Sequence, residues 1–475
     1  MKTLYPFLIS LLLAVPAFSS PSGMSERVPD GLPCMEAVSR SKTKPSRADE
    51  SGYLFKDVTL TAAGTLADAL GEDAKLVDSL VVRGPINEAD FKTMWSASFH
   101  DNLEVIHLGN AEIENNIVPE CAFWDAKAQT YDNYIIPIHL RKIILPEGIT
   151  EIGTRAFFYA SALDEVRLPS SLVKIDNLAF TYCQKLTAQS FVFPENLEVI
   201  GNSAFACCYK LAGEVVLPEK LKILEKQAFY QCAITNISFP STLEFLGKWA
   251  FAGNRLVEAC LPDNCTLDSG GCQFLGNFFL ERVHLPAITT AIPEATFESC
   301  ASLNDINFPS SLVSIGADAF YDCQSLKSAN LPEGLETIEK GGFAACTGLE
   351  EIMLPAYLKT IGDRAFADTK PKKIYSKAVP APMCTPTSFQ GVPNTTPLYI
   401  PVGSRNDYVS TQNYWYNFIN IIETDDFPSL SVSDIDVDGS DHADAPVYDL
   451  IGRRVDSPQP GQIYIRAGKK FTVKP

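Results

Sequence analysis

The sequence lacks the motifs that carry most enzyme chemistry. It has no Gly-x-Ser-x-Gly nucleophile elbow, no Walker loop, no dinucleotide-binding glycine fingerprint and no HExxH helix. Its five histidines are scattered and no Cys-x-x-Cys pair occurs, which argues against a zinc site. We therefore predict no catalytic residues, no metal and no cofactor.

Basic residues are also in short supply. Lys and Arg number 39 against 57 Asp and Glu, so the net charge is −18 and the pI is near 4.8. Nucleic acids and anionic lipid surfaces both attract basic faces. The balance of charge argues against nonspecific binding to either and favours a soluble extracellular protein.

No apolar run is long enough to cross a membrane. At the N-terminus, Lys2 precedes a short apolar stretch over residues 7–15 and small residues from Ala17 onward. A membrane-spanning helix needs about 18–20 apolar residues, whereas this arrangement is typical of a cleaved export signal. We interpret residues 1–20 as a signal peptide and the polar residues 21–51 as a flexible leader.

What the sequence does contain is one motif repeated about ten times. A Leu-Pro or Phe-Pro pair recurs every 22–25 residues, with a Leu-x-x-Ile step, an Ala-Phe pair and another Leu-x-x-Ile step in fixed order between the prolines. A period of about 20–50 residues is typical of stacked coils, which usually present a surface rather than a catalytic pocket. The prolines are Pro146, Pro169, Pro194, Pro218, Pro240, Pro262, Pro286, Pro309, Pro332 and Pro355.

Each repeat predicts two short strands and a third segment that buries an aromatic ring. The Leu-x-x-Ile-x-Leu step alternates as strands do, and the proline ends the strand because it has no N–H for the ladder. The second Leu-x-x-Ile step would line another wall, and the Ala-Phe pair would bury a ring. We predict a repeat solenoid, mainly β, over residues 141–375. Glycines are expected to turn the corner after the second step: Gly153, Gly201, Gly247, Gly316 and Gly362.

The segments around the repeats are predicted to close the two ends of the core, as a solenoid requires. Residues 52–140 predict an N-terminal cap and the first atypical repeats, with short helices over 66–70 and 87–95. The aromatic-rich residues 376–424 predict a C-terminal cap. The remaining segments are an acidic linker over 425–445 and a small β segment over 446–475.

The thirteen cysteines follow the repeat rather than a disulfide pattern. Six of them come three residues after the repeat phenylalanine, so they are expected to stack as a column of small, buried thiols. Where the column lacks Cys it holds Ala160, Asn254 and Thr369. The six are Cys183, Cys208, Cys232, Cys300, Cys323 and Cys346.

Two segments depart from the pattern. In repeat 262–286 the Leu-x-x-Ile step is replaced by Cys265 to Asp268, and Phe274 fills the Ala-Phe position only loosely. We expect a bulge or loop excursion there, either a decayed repeat or a functional site, and a disulfide among Cys260, Cys265 and Cys272 stays open. The run that begins at Asp434 opens like a calcium loop but lacks its final Glu, which favours an acidic linker.

The Leu-Pro, Leu-x-x-Ile-Gly and Ala-Phe-x-x-Cys marks resemble BspA-type leucine-rich repeats over roughly residues 52–424. The resemblance implies a leucine-rich-repeat right-handed coil with short strands and turns. It also implies a place on a bacterial surface, where several family members bind host matrix proteins or neighbouring cells. Residues 448–470 resemble C-terminal segments of exported proteins from Bacteroides-like bacteria, some of which act as sorting signals.

The strand step of each repeat leaves two columns of outward positions free to vary. They are interpreted either as plain solvent-exposed side chains or as a recognition strip for an extended partner. On adjacent coils, Val192 and Val216 would form a small apolar anchor beside acidic groups. The candidate binding residues are Ile144, Arg167, Val192, Val216, Ser238, His284, Asn307, Asn330, Met353 and Tyr375, with Glu165, Glu214 and Arg282 from the neighbouring column.

The sequence favours a noncatalytic binding or adhesion protein, secreted or held on the outer surface of a Gram-negative bacterium. Its partner would be an extracellular protein, from host matrix or cell surface, or a glycan; no nucleic acid and no transmembrane segment are expected, and the chain is expected to be a monomer. Two alternatives stay open. One is a glycan hydrolase or peptidase with its site in the 262–286 coil, and the other is a structural surface-assembly protein.

Overall fold

The computed structural model describes residues 53–125, 127, 138–411 and 413–428, together with the backbone of five short strands outside these ranges. The predicted signal peptide and leader lie outside the described residues, as does the Asp434 motif. The chain divides into two units. The larger comprises Asp49–Trp124 and Ile138–Pro475, and the smaller includes Asp125–Pro137 with its antiparallel strands Thr130–Tyr131 and Tyr134–Ile135.

The larger unit is a parallel β-solenoid with little helix, which confirms the predicted fold. Its first wall, here called the strand face, is built from the Leu-x-x-Ile-x-Leu steps and holds four parallel sheets. In order the strands are Phe55–Thr59, Ser79–Ile86, Val105–Ile113, Lys142–Ile144 and Glu165–Arg167; Ala212–Val216 and Ala233–Ser238; Glu258–Cys260, Arg282–His284 and Asp305–Ile306; and Glu351–Leu354, Lys373–Ser376, Leu398–Ile400 and Ile421–Glu423.

The second wall is built from the Leu-x-x-Ile steps that follow the prolines. Its strands are two residues long and pair in parallel, because the chain turns again immediately after each of them. They form two sheets. The first contains Ile117–Val118, Glu151–Ile152, Lys174–Ile175, Val199–Ile200, Ile223–Leu224, Phe245–Leu246 and Thr266–Leu267, and the second contains Ala291–Ile292, Ser314–Ile315, Thr337–Ile338, Thr360–Ile361 and Met383–Cys384.

The third wall carries the Ala-Phe pairs, and here the backbone repeatedly enters the left-handed region. In the repeat of Phe320, Asp318 and Asp322 have φ of 53° and 62°, values that few residues other than Gly adopt. The residues between them pair with the next coil; the Phe320 N–H donates to the carbonyl of Gly342 at 2.9 Å. Two left-handed positions per coil thus turn the chain while keeping a backbone ladder between coils.

Phenylalanine rings form one continuous column inside the solenoid. Successive centroids lie 5.0–6.2 Å apart with interplanar angles of 2–20°. The spacing follows that of the coils, slightly above the strand repeat of about 4.8 Å. The rings belong to Phe123, Phe157, Phe180, Phe205, Phe229, Phe251, Phe274, Phe297, Phe320, Phe343, Phe366 and Phe389.

The cysteine column is buried as predicted, but its members do more than fill space. Each thiol donates to the carbonyl oxygen of the phenylalanine in the preceding coil, with sulfur–oxygen distances of 3.0–3.4 Å. Asn254 and Asn277, at equivalent positions, donate to the same kind of carbonyl at 2.7 and 2.9 Å. Each carbonyl that a thiol contacts also accepts a backbone N–H from its own coil, so the cysteines provide these buried acceptors with a second donor.

The glycines after the second wall have a different role from the one predicted. Gly316 does not adopt a positive φ. A Cβ built there would lie 2.8 Å from the carbonyl oxygen of Ile292 and 2.9 Å from the amide nitrogen of Glu294 in the preceding coil. Gly153, Gly201, Gly247 and Gly362 meet the preceding coil just as closely. Glycine is thus required for close approach, while the corner is turned by the residue two positions later.

The coil of residues 262–286 is more regular than its sequence. Thr266–Leu267 pairs with the preceding coil, and the Phe274 ring is fully buried in the column, so the predicted loop excursion is wrong. The irregularity is confined to the pairing with the next coil, where Gly271 is needed because a Cβ would lie 1.9 Å from the carbonyl of Glu294. Cys260 and Cys265 have free thiols, so the three local cysteines form no disulfide.

The N-terminal cap contains the two predicted helices, α1 (Leu66–Leu70) and α2 (Glu88–His100). A 3-10 turn, Gly71–Lys75, follows α1, and another spans Glu114–Asn116. The buried carboxylate of Asp90 joins the helices. It accepts the backbone N–H groups of Gly64, Leu66 and Asn87 at 2.6–2.9 Å, and Asn87 caps α2 in return.

The segment predicted as a C-terminal cap places aromatic residues against the last coils. It contains α3 (Arg405–Tyr408) and the 3-10 turn Tyr414–Asn417. The Tyr408 hydroxyl bonds to the Ser376 hydroxyl at 2.7 Å, and the Trp415 indole N–H donates to the carbonyl of Pro382 at 2.8 Å. These polar anchors fix two rings that are otherwise fully buried.

Near the C-terminus, Val447–Tyr448, Ile463–Arg466 and Lys469–Thr472 form an antiparallel sheet, in agreement with the predicted β segment. The rest of that segment and most of the linker lie outside the described residues. Within the described part of the chain, no helix has the length and apolar character to cross a bilayer. The same residues contain no group of three or more His, Cys, Asp or Glu side chains placed to hold a metal ion.

Candidate recognition face

The strand face exposes most of the predicted recognition residues. Arg167, Ser238, Asn307 and Asn330 are exposed, whereas Ile144, His284 and Met353 are half-buried. The two valines stand out, because the side chains on both columns are otherwise mostly polar. Val192 is 74% exposed and Val216 is 66% exposed.

Tyr375 is a correction to the predicted set. It is only 6% exposed. Its ring stacks on that of Tyr399, with centroids 4.7 Å apart, because the two residues are directly paired on neighbouring strands. The C-terminal cap therefore covers the end of the column, and Tyr375 belongs to the packing of that cap rather than to an open face.

The exposure of Val192 follows from the packing of its two neighbours. Phe191 and Phe193 are both buried, and their rings meet the Phe205 ring edge-on at 5.1 and 5.4 Å. Residues in an extended segment alternate between the two sides of a wall, so Val192 points outward. The paired rings also displace this coil from the ladder, and the strand face is interrupted between Arg167 and Ala212.

Charges on the strand face mostly neutralise one another along the coils. Glu165 bridges Lys142 at 2.8 Å and Arg167 at 3.3 Å, and the hydrogen bond from Lys142 lowers the pKa of its carboxyl. Arg282 pairs with Glu258 at 2.9 Å. Among the described residues, Glu214 has no salt-bridge partner, since Asn236 lies opposite it on the next strand. A lone carboxylate thus lies two residues from the exposed Val216.

Asn307 serves the fold as well as the surface. Its amide oxygen accepts the N–H of Leu285 at 2.7 Å, and its amide nitrogen donates to the carbonyl of the same residue at 3.2 Å. The Asn307 side chain thereby makes hydrogen bonds that a strand backbone would otherwise make at the end of this sheet. His284, on the preceding coil, lies 3.7 Å from a carboxylate oxygen of Asp263.

The exposed thiol on this face is poorly suited to nucleophilic chemistry. The Cys260 sulfur donates to a carboxylate oxygen of Glu258 at 3.0 Å. Partial burial of the sulfur and the neighbouring carboxylate raise the pKa of the thiol to about 12. Since the thiolate is the reactive form, almost none of it is present at neutral pH.

Comparisons with known proteins agree with the repeat architecture. Residues 135–258 and 270–380 match the family described as BspA type Leucine rich repeat region, in six copies. No curated protein matches the chain.

Three solved structures are similar to parts of this chain. A leucine-rich repeat protein from Bacteroides ovatus is 24% identical, over 62% of this chain and 90% of its own, with a TM-score of 0.37. A leucine rich cell surface protein from Faecalibacterium prausnitzii is 20% identical, over 62% and 83%, with a TM-score of 0.35. The pneumococcal vaccine antigen PcpA is 17% identical, over 73% and 79%, with a TM-score of 0.38. The match across the repeats, rather than these partial likenesses, identifies residues 135–258 and 270–380 as a BspA-type leucine-rich repeat region.

Proposed function

We propose that this protein is a noncatalytic binding protein, secreted or held at the bacterial surface, that grips an extracellular protein or glycan with its strand face. The observation that carries the proposal is the exposure of Val192 and Val216 on consecutive coils, in columns whose side chains are otherwise mostly polar. Exposed apolar side chains surrounded by polar ones are characteristic of interaction sites.

The valines are suited to act as the energetic centre of such a contact. Burying one valine side chain contributes about 1.5–3 kcal/mol, and a few central residues usually supply most of the affinity of an interface. The carboxylate of Glu214, which forms no salt bridge among the described residues, lies two residues from Val216 on the same strand. It would favour a partner with a basic or hydrogen-bond-donating group. The paired charges further along the face, such as Lys142 with Glu165, would contribute little.

The test is binding of the folded chain to immobilised extracellular-matrix proteins, host-cell surfaces and polysaccharides. We expect Val192→Asp and Val216→Asp each to weaken binding about tenfold, equivalent to about 1.4 kcal/mol. Val313→Asp is the matched control, because Val313 is also exposed but follows Leu312 on the second wall. It should bind as the unaltered protein does.

Two results would overturn the proposal. One is binding that survives both valine substitutions unchanged. The other is self-association that rises with concentration in the absence of any foreign ligand, measured by sedimentation, which would favour a structural assembly role. Turnover of a glycan or peptide substrate by the purified chain would favour the hydrolase alternative instead.

A further inference from the structure

The last coil of the solenoid, here defined as residues 398–426, leaves several apolar side chains open to water. They are Val402 at 61% exposure, Val409, Tyr416, Ile419 at 68% exposure and Ile422. Within the described residues no further coil follows, so the strand Ile421–Glu423 is paired on one side only. Terminal coils of solenoids normally have a polar outer face. The last coil therefore has the surface of a coil that something else covers.

The strand at this end is poorly suited to pairing with another strand. The Arg405 guanidinium donates to the carbonyl of Ile421 at 3.1 Å. The carboxylate of Glu423 accepts the N–H groups of Gly403 and Arg405 at 3.0 and 3.3 Å. These contacts hold the start of α3 beside the strand, and charged side chains at a sheet edge discourage strand addition. A cover would therefore have to pack its side chains on the exposed apolar groups.

The last coil is also acidic. It carries one cation, Arg405, and four exposed carboxylates: Asp407, Glu423, Asp425 and Asp426. The lysines of the preceding coil are engaged elsewhere. Lys372, Lys373 and Lys377 pair with glutamates of earlier coils at 2.8, 3.7 and 2.8 Å. The last coil would therefore attract a cover of positive net charge.

The chain contains a segment of that kind a short distance further on. Residues 446–475 have six Lys or Arg and two Asp, a net charge of +4 in a chain whose total is −18. Their antiparallel sheet has strands of two to four residues and sets Tyr464 opposite Phe471. A sheet this small buries little apolar area of its own, so its stability depends on packing against a larger body.

The connection between the two begins at the exposed apolar surface. The Val402 N–H donates to a carboxylate oxygen of Asp425 at 3.3 Å, so the chain leaves the last coil beside Val402. Residues 427–446 lead from there to the first strand of the sheet. Twenty residues of extended chain span up to about 70 Å, and a tether of this kind gives an effective concentration on the order of 1 mM. Even weak packing would therefore hold the sheet in place.

We propose that the sheet of residues 446–475 docks on the last coil of its own chain. Its apolar residues cover Val402, Ile419 and Ile422, and its lysines and arginines lie beside the exposed carboxylates. The contact uses neither Val192 nor Val216. It can therefore fail while the strand-face proposal stands, and the strand-face proposal can fail while this contact stands.

The experiment is hydrogen exchange of the full chain, measured by mass spectrometry on peptides that cover residues 463–472. Docking protects these amides, and they exchange when the sheet detaches. Ile419→Asp places a charge in the apolar contact and should speed their exchange about tenfold. Ile288→Asp is the matched control, because Ile288 is 50% exposed on an earlier coil. It should leave their exchange unchanged.

Two further variants test the two components of the contact. Val402→Asp alters the same apolar surface at a second position and should act in the same direction as Ile419→Asp. Asp425→Asn combined with Asp426→Asn removes two charges but keeps an oxygen acceptor for the Val402 N–H. Because exposed ion pairs contribute little, the double variant should speed exchange only about threefold.

Two results would overturn the proposal. One is the same exchange rate over residues 463–472 in Ile419→Asp, Val402→Asp and Ile288→Asp. The other is protection that rises with protein concentration, because the sheet would then cover the last coil of a second copy. Exchange in the coils of residues 141–375 should be equal in all variants, which shows that the solenoid itself is intact.

Discussion

The thiol of Cys323 donates a hydrogen bond to the carbonyl oxygen of Phe297 in the preceding coil, with 3.2 Å between sulfur and oxygen. Both residues are fully buried. Cys323→Val keeps a similar shape but removes the donor, so we expect it to lower the free energy of unfolding by about 1–2 kcal/mol. Cys323→Thr keeps a donor and should cost less. Urea unfolding midpoints of the two variants measure the difference, and equal losses would mean that size alone governs this column.

The buried thiols also predict a loss of stability in alkali. Burial raises the pKa of Cys183, Cys323 and the other column thiols above its usual value, whereas the unfolded chain releases these protons near pH 8.5. Each protonated thiol therefore makes its full contribution to folding stability below that pH. Above it, the unfolded chain binds fewer protons, and stability declines by about 1.4 kcal/mol per pH unit per thiol.

Urea unfolding between pH 8 and pH 11 tests this dependence. The slope of stability against pH should be smaller by one proton in Cys323→Thr than in the unaltered chain, because one titrating group has been removed. Cys260→Ser is a second comparison, because the Cys260 thiol lies on the exposed strand face and its pKa is also raised, to about 12. A slope that is the same in Cys323→Thr and the unaltered chain would contradict the role assigned to the column.

Glycine substitutions in one repeat distinguish close approach from backbone freedom. Gly316→Ala should destabilise the fold by about 1–3 kcal/mol, because its Cβ would lie 2.8 Å from the backbone of the preceding coil. Gly334→Ala is the control, since its nearest neighbour, the carbonyl oxygen of Ser310, is 3.7 Å away. Thermal unfolding should show a lower midpoint for the first variant only, and similar midpoints would refute the steric explanation.

In the N-terminal cap, the carboxylate of Asp90 accepts three backbone N–H groups while fully buried. Asp90→Asn would turn an amide donor toward groups that also donate, so we expect a loss of about 2–3 kcal/mol. Asp68→Asn, on the exposed side of α1, should change stability by less than about 0.5 kcal/mol. Circular dichroism during thermal unfolding compares them, and equal midpoints would count against Asp90 as the link between the helices.

The sequence predicted the solenoid, its two strand walls and the buried phenylalanines, because each core position recurs with the same chemistry. It did not predict the left-handed residues. Asp318 and Trp249, for example, occupy equivalent left-handed positions but share no side-chain character. That conformation is imposed by the neighbouring coils rather than by the residue itself, so a single repeat contains no local signal for it.

The recognition face was harder to predict for a related reason. Alternation along each strand step placed Val192 and Val216 outward, as the structure does. Alternation does not reveal what lies above a side chain, and Tyr375 is buried by a strand twenty-four residues further along the chain.

Breaks in the two strand walls never fall between the same pair of coils. On the strand face, pairing is interrupted after Arg167, after Ser238 and after Ile306, where the second wall is continuous. The second wall is interrupted after Leu267, where the strand face is paired through Arg282. Because the interruptions are staggered, each pair of neighbouring described coils stays hydrogen-bonded through at least one of the two walls. Pulling from both ends should therefore rupture the array as one unit, and a partner bound at the valines would meet a stiff support.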